Sequence, residues 1–122
     1  VSSIYGKRIL VVEDEFFIAT TTSAMLEELG AQVVGPALTV AEALELADAA
    51  DIDLALLDIN LHGHSSADVA GTLARRGIPV VFATGYSLGQ GKDAAGCYML
   101  AKPFTQDKLA TLLAHVLSEP EA

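Results

Sequence analysis

Short apolar runs alternate with helical patterns from one end of the chain to the other, and that alternation leaves few folds open. The runs "RILVV" (Arg8 to Val12), "AQVVG" (Ala31 to Gly35), "LALLD" (Leu54 to Asp58), "PVVFA" (Pro79 to Ala83) and "CYMLA" (Cys97 to Ala101) have strand length. Their apolar, partly β-branched make-up marks strands covered on both faces. Helical patterns lie between them. Ile18, Thr22, Met25 and Leu29 share one face ahead of a Gly30 cap, and Thr39 with Glu42 forms a capping box before Ala43, Leu44 and Ala47. Ser65 and Asp68 read as a second box, opening a helix that stops at Arg75-Arg76-Gly77. Leu109, Leu112, Leu113 and Val116 then give the last helix its buried face. Strands joined by helices pair in parallel through crossovers, so the expected architecture is α/β, a parallel sheet between two helical layers.

Length and charge narrow the function classes. The 122 residues suit one domain with a core of its own. A formal charge of −9 repels nucleic-acid phosphates, so no direct nucleic-acid binding is expected. No apolar run approaches the length of a membrane span, and no signal-peptide pattern precedes Lys7 and Arg8. A single cysteine, Cys97, has no internal disulfide partner; with the preceding points it leads us to expect a cytoplasmic location and no membrane partner. The glycine-rich stretch after the fourth run is not a nucleotide loop. Gly91-Lys92 is preceded, at the P-loop spacing, by Tyr86 rather than glycine, and followed by Asp93 rather than a hydroxyl residue.

In open parallel sheets, sites form beyond the carboxyl ends of the strands. Reading those ends gives Glu13 and Asp14 after the first strand, Asp58 at the third, Thr84 after the fourth and Lys102-Pro103 after the fifth. Clustered carboxylates repel one another unless a cation sits among them. An oxygen-only set suits a hard ion such as Mg²⁺. Thr84 and Lys102 facing those acids can hold the oxygens of an incoming phosphoryl group, whose transfer depends on positioning and charge neutralisation. Asp58 is then the candidate nucleophile, since carboxylates carry phosphoryl groups as aspartyl-phosphates.

On these residues the chain resembles the response-regulator receiver domains of two-component signalling, from about Lys7 to Leu117. The resemblance implies a single receiver domain over residues 1–122 with a five-stranded, doubly wound, flavodoxin-like parallel sheet of strand order 2-1-3-4-5. It implies Mg²⁺ held by Glu13, Asp14, Asp58 and the backbone carbonyl of Asn60, and Asp58 as phosphoacceptor. Thr84 and Lys102 would contact the phosphoryl group, with a cis bond before Pro103. The expected partners are a histidine kinase or a histidine phosphotransfer protein upstream, and a downstream protein reached by contact. Such a domain is a switch that assists its own phosphorylation and dephosphorylation, rather than an enzyme. "FATGY" (Phe82 to Tyr86) further resembles an alphaproteobacterial sub-family, many of them single-domain, named for its Phe-Ala-Thr-Gly-aromatic (FATGUY) motif. The alternative is the receiver half of a longer DNA-binding or enzymatic regulator.

Some residues depart from the family pattern. His62 stands where receivers commonly carry proline, and Met99 where they carry a switch aromatic, with Tyr98 on the opposite face. His62 and His64 read as loop residues, because no further zinc ligand lies at the needed spacing. The position two after Asp58 is Asn60, which lacks the acid/base group of an aspartate-nucleophile phosphatase. The acids of "EDEFF" speak against a flavodoxin-like electron carrier, which binds a phosphate there. Gly85, Gly89, Gly91 and Gly96 weaken the fourth helix of the family fold by roughly 1 kcal/mol each, so that helix is expected to be weak or mobile. In that reading Gly85 is a hinge, and Tyr86 moves with it in place of the ring absent at Met99.

Overall fold

The structure, a computed structural model, describes residues 4–61, 64–85, 91–92 and 98–118. Its main sheet contains β1 (Arg8–Val12), β2 (Gln32–Ala37), β3 (Leu54–Asp58), β6 (Val80–Thr84), β7 (Gly91–Lys92) and β8 (Tyr98–Ala101). The order is β2-β1-β3-β6-β8-β7. The first five of these are parallel, and β7 runs antiparallel to β8 at the edge. Over the strands read from sequence this is the doubly wound order 2-1-3-4-5. A separate antiparallel pair, β4 (Asn60–Leu61) and β5 (His64–Ser65), directly follows β3.

Strand alternation feeds two apolar cores. Ile9, Val11, Leu54, Leu56, Val81 and Leu100 point to one face, under α1 (Phe16–Glu28) and α4 (Gln106–Ser118). Leu10, Val12, Ala55 and Leu57 point to the other, under α2 (Val40–Ala49) and α3 (Ala67–Arg75). Each fully buried leucine, such as Leu10, Leu57 or Leu100, contributes roughly 1.5–3 kcal/mol by leaving water. Ile4 also lies in the first core at 0 % exposure. The Gly6 N–H beside it donates to the Gly30 carbonyl at 2.8 Å, which ties the N-terminal turn under the sheet.

Several local expectations are met in detail. Thr39 accepts from the Glu42 N–H at 3.1 Å, and the Glu42 carboxylate returns to the Thr39 hydroxyl at 3.3 Å. Gly30 follows α1 with φ of 88°, and an added Cβ would strike the Tyr5 ring. Leu109, Leu112, Leu113 and Val116 are the buried residues of α4.

Others are corrected. The buried residues of α1 are Ala19, Thr22, Ser23 and Leu26, a stripe displaced from Ile18, Met25 and Leu29. Small residues let the helix approach the sheet closely, leaving the longer ones to fill its flank. β2 runs on through a cis Gly35-Pro36 bond to Ala37. A proline fits there because β2 is an edge strand, where a missing donor is tolerated. Ser65 belongs to β5, so the second capping box does not form; Ser66 occupies the N-cap of α3. The weak fourth helix falls mainly on residues 86–90 and 93–97, outside the described residues; between them lies β7.

Candidate functional site

Register alone brings the predicted acids and lysine together. Val12 is level with Leu57, so Glu13 follows β1 beside Asp58 at the end of β3. Asp58 is level with Ala83, and Thr84 with Ala101, which sets Thr84 and Lys102 at the same carboxyl edge. The Lys102 N–H donates to the Thr84 carbonyl at 2.7 Å, locking the two strand ends. The bond between Lys102 and Pro103 is cis, as the resemblance implies.

Ligand oxygens of Glu13, Asp14 and Asp58 all lie within 4.8 Å of one another. Glu13 and Asp58 are buried, at 4 % and 8 % exposure, and Asp14 is half-buried. Lys102 Nζ donates to Glu13 Oε1 at 2.8 Å and stands 3.6 Å from Asp58 Oδ2. The other Glu13 oxygen accepts from the Glu15 N–H at 3.1 Å.

One ammonium is shared between the two buried acids. Burial pushes the Glu13 carboxyl above its ordinary value; the Lys102 and Glu15 hydrogen bonds pull it back only in part, and the Asp58 charge adds to the rise. For Lys102, burial acts to lower the pKa. The hydrogen bond to Glu13 and the charges of Asp58 and Glu13 together outweigh it, so the ammonium stands above its ordinary 10.5. Its stabilising contribution is therefore present below that value and fades only at higher pH. The pocket keeps a fixed cation at neutral pH.

The remaining predicted residues divide. Thr84 is buried at 0 % exposure. Gly85 is exposed, with no positive φ, and a Cβ added there would meet nothing within 4 Å. The Asn60 backbone lies in β4, immediately beyond the acid cluster. Tyr86 and His62 lie outside the described residues, as does Cys97; His64 lies in β5. Met99 and Tyr98 are both buried on β8, and the Tyr98 ring meets His115 edge-on at 6.2 Å between centroids.

Sequence reasoning missed what flanks the pocket. Phe16 and Phe17 are 71 % and 81 % exposed at the start of α1. Beside them an apolar groove of about 370 Å³ runs between α1 and the Lys102–Phe104 segment. The sequence carried no clear signal for Phe16 and Phe17, because two adjacent apolar residues can share one buried face, as Leu112 and Leu113 do in α4.

Comparison with known proteins identifies the family. Residues 9–114 match the response regulator receiver domain family. The chain is 33 % identical over 114 residues to the phyllosphere-induced regulator PhyR of Methylorubrum extorquens, covering 89 % of this chain and 43 % of that one. It spans about half the length of the curated relatives it matches. Among solved structures, SdrG from Sphingomonas melonis is 42 % identical with a TM-score of 0.76, covering 96 % of this chain and 99 % of that one. The receiver domain of the sensor histidine kinase PA1611 from Pseudomonas aeruginosa has magnesium coordinated in its active-site cleft. It is 25 % identical with a TM-score of 0.78, covering 93 % of this chain and 99 % of that one. No helix among the described residues is long and apolar enough to cross a membrane. Matched along most of its length and carrying its acids at the family's sheet edge, the chain belongs to the response regulator receiver domains of bacterial two-component systems.

Proposed function

We propose that this chain is the phosphoacceptor of a phosphorelay. A phosphohistidine, on a histidine kinase or a histidine phosphotransfer protein, gives its phosphoryl group to Asp58, and the altered surface signals to a downstream protein by contact. The observation that carries this is the meeting of the acid cluster with Lys102 at 2.8 and 3.6 Å. In the transfer, an Asp58 carboxylate oxygen bonds to phosphorus as the P–N bond breaks, and the imidazole nitrogen keeps the electron pair. Lys102 then has a second anion to pair with, the phosphoryl oxygens. The exposed Phe16 and Phe17 beside the pocket suit recognition of a protein donor. The test is incubation with a small phosphodonor and Mg²⁺, with peptide mapping of the acid-stable, base-labile adduct. A phosphoryl group found anywhere but Asp58 overturns the reading.

The donor set fits Mg²⁺, being oxygen-only and closely grouped. Glu13, Asp14, Asp58 and the Asn60 carbonyl would hold it. When bound, it would neutralise charge on the phosphoryl oxygens. Asp14 is half-buried and nearer the end of the turn, so it is expected to be the stronger ligand. Asp14→Ala is expected to weaken Mg²⁺ binding on the order of tenfold or more, and Glu13→Ala less. A calorimetric titration giving parent-like affinity in both variants would remove these acids from the site.

The stretch over residues 82–86 supports a reading of the chain as one of the Phe-Ala-Thr-Gly-aromatic (FATGUY) sub-family. We read the 122 residues as a single, stand-alone receiver domain acting in the cytoplasm, consistent with SdrG being matched over 99 % of its chain. The second reading, the receiver half of a longer regulator, is favoured by curated relatives about twice as long. The length of the intact gene product separates the two.

The buried Thr84 must turn toward the phosphoryl group for its hydroxyl to make contact, with Gly85 as hinge and Tyr86 moving with it. Gly85→Ala fits the resting structure, since its Cβ has open space, but it narrows backbone freedom. Phosphoryl uptake is expected to persist while phosphorylation-induced amide shifts at Thr84 and Lys102 shrink. Parent-like shifts in the variant would argue against a hinge.

A further inference from the structure

Four contacts pin the backbone that follows Asp58. The Ile59 N–H donates to the Ala83 carbonyl at 3.1 Å, and the Ile59 carbonyl accepts from the Ser66 hydroxyl at 3.3 Å. Leu61 is sunk into the core under α2 and α3 at 1 % exposure. Asn60 and Leu61 pair with Ser65 and His64 across the short hairpin.

Ser66 is the unexpected member. It sits at the N-cap of α3, where a serine ordinarily turns its hydroxyl to the free N–H groups of the first turn, a bond worth about 1 kcal/mol. Here no side-chain cap bond forms. Ser66 is 2 % exposed, and its hydroxyl is spent on the Ile59 carbonyl instead. The Ser66 hydroxyl does not serve as a cap, and the loop after Asp58 gains a tie.

The consequence falls on Asn60. The peptide plane before Asn60 is held at the Ile59 carbonyl and the plane before that at the Ile59 N–H, and the residue after Asn60 is anchored by a buried side chain. Two fixed neighbours leave the Asn60 carbonyl little freedom of direction. Mg²⁺ demands near-ideal octahedral placement of its oxygens, so a wandering carbonyl loses affinity even when the fold is intact.

We propose that Ser66, with Leu61 as anchor, is a positioning residue for the Asn60 carbonyl, and that the β4–β5 hairpin holds the backbone end of the cation site. This rests on the reading that Asn60 contributes its carbonyl to Mg²⁺. The 3.3 Å bond is longer than the usual hydroxyl hydrogen bond, so its loss costs the fold little. The effect belongs in metal affinity rather than stability.

The experiment compares the parent, Ser66→Ala and Thr72→Ala. Thr72 is the control, because its hydroxyl bonds the Asp68 carbonyl at 3.0 Å on an exposed part of the same helix. Mg²⁺ is titrated by calorimetry and by backbone amide spectra. Ser66→Ala is expected to lose about tenfold in affinity, the low end for groups that orient a metal ligand. Its Leu61 amide, which shares a peptide with the Asn60 carbonyl, should show a smaller Mg²⁺-induced shift. Thr72→Ala should match the parent, and all three should unfold within a few degrees of one another. Affinity in Ser66→Ala within about twofold of the parent, with an unchanged Leu61 shift, overturns the inference alone. Equal losses in both variants overturn it too, since they would mark general loosening of α3. A parent that binds no Mg²⁺ overturns the cation site itself, and this inference with it.

Discussion

Asp58→Asn is expected to take up no phosphoryl group from a small phosphodonor or a kinase and to keep its fold. An amide oxygen carries no charge and cannot form an acyl phosphate by attack on phosphorus, so the loss is complete rather than graded. The substitution is nearly isosteric, and Asp58 backbone pairing with Ala83 is untouched. Electrostatics favour the variant in Mg²⁺-free buffer. It removes one of three acids whose oxygens lie within 4.8 Å, while Lys102 keeps its 2.8 Å partner in Glu13. The thermal midpoint without metal is therefore expected not to fall. Intact-mass measurement checks the first claim and a melting curve the second. A phosphoryl adduct of parent yield in Asp58→Asn would move the nucleophile elsewhere, with Asp14 the next carboxylate to examine.

What is legible in the sequence depends on the kind of signal each residue leaves there. β1 and β3 can be read to the residue, because each is an apolar run bounded by a charged residue, Arg8 at the start of β1 and Asp58 at the end of β3. The acids and Lys102 are legible for a related reason: charges directly after such strands have one place to go, the sheet edge. The buried stripe of α1 is misplaced when it is read from large residues, because helix-to-sheet approach is set by Ala19 and Ser23. The β4–β5 hairpin leaves no trace, since two-residue strands carry no periodicity. Ser66 escapes notice for a subtler reason. A serine before a helix reads as a cap, and only the nearby Ile59 carbonyl makes another bond available. The groove beside Phe17 is a product of packing between α1 and the segment after β8, distant in sequence.

Lys102→Ala is expected to be the most destabilising change in the pocket and to separate phosphorylation from its consequence. The side chains of Glu13 and Asp58 are 5 % and 10 % exposed, and the ammonium between them is 18 % exposed. Removing one partner of such a set leaves buried charge less compensated, at a cost of about 3 kcal/mol, the lower end for buried pairs because water reaches the lysine. Denaturant unfolding without metal should show that loss. Adding Mg²⁺ should raise the variant's stability more than the parent's, since the cation meets acids no longer neutralised by an ammonium. The pH dependence has a definite sign. Glu13 already sits above its ordinary 4.5, and without its lysine partner it rises further. The deficit against the parent is then full above that raised value and shrinks as pH falls toward 4.5. Phosphoryl uptake is expected to persist, because Asp58, the proposed nucleophile, is intact, but the charge-assisted contact that would draw Lys102 and its neighbour Thr84 to the phosphoryl oxygens is gone. Amide spectra should therefore show a phosphorylated variant with resting shifts at Thr84 and Gly85. Parent-like shifts on phosphorylation would mean that the conformational change runs through Thr84 alone. Unchanged metal-free stability would mean that solvent already neutralises the acids.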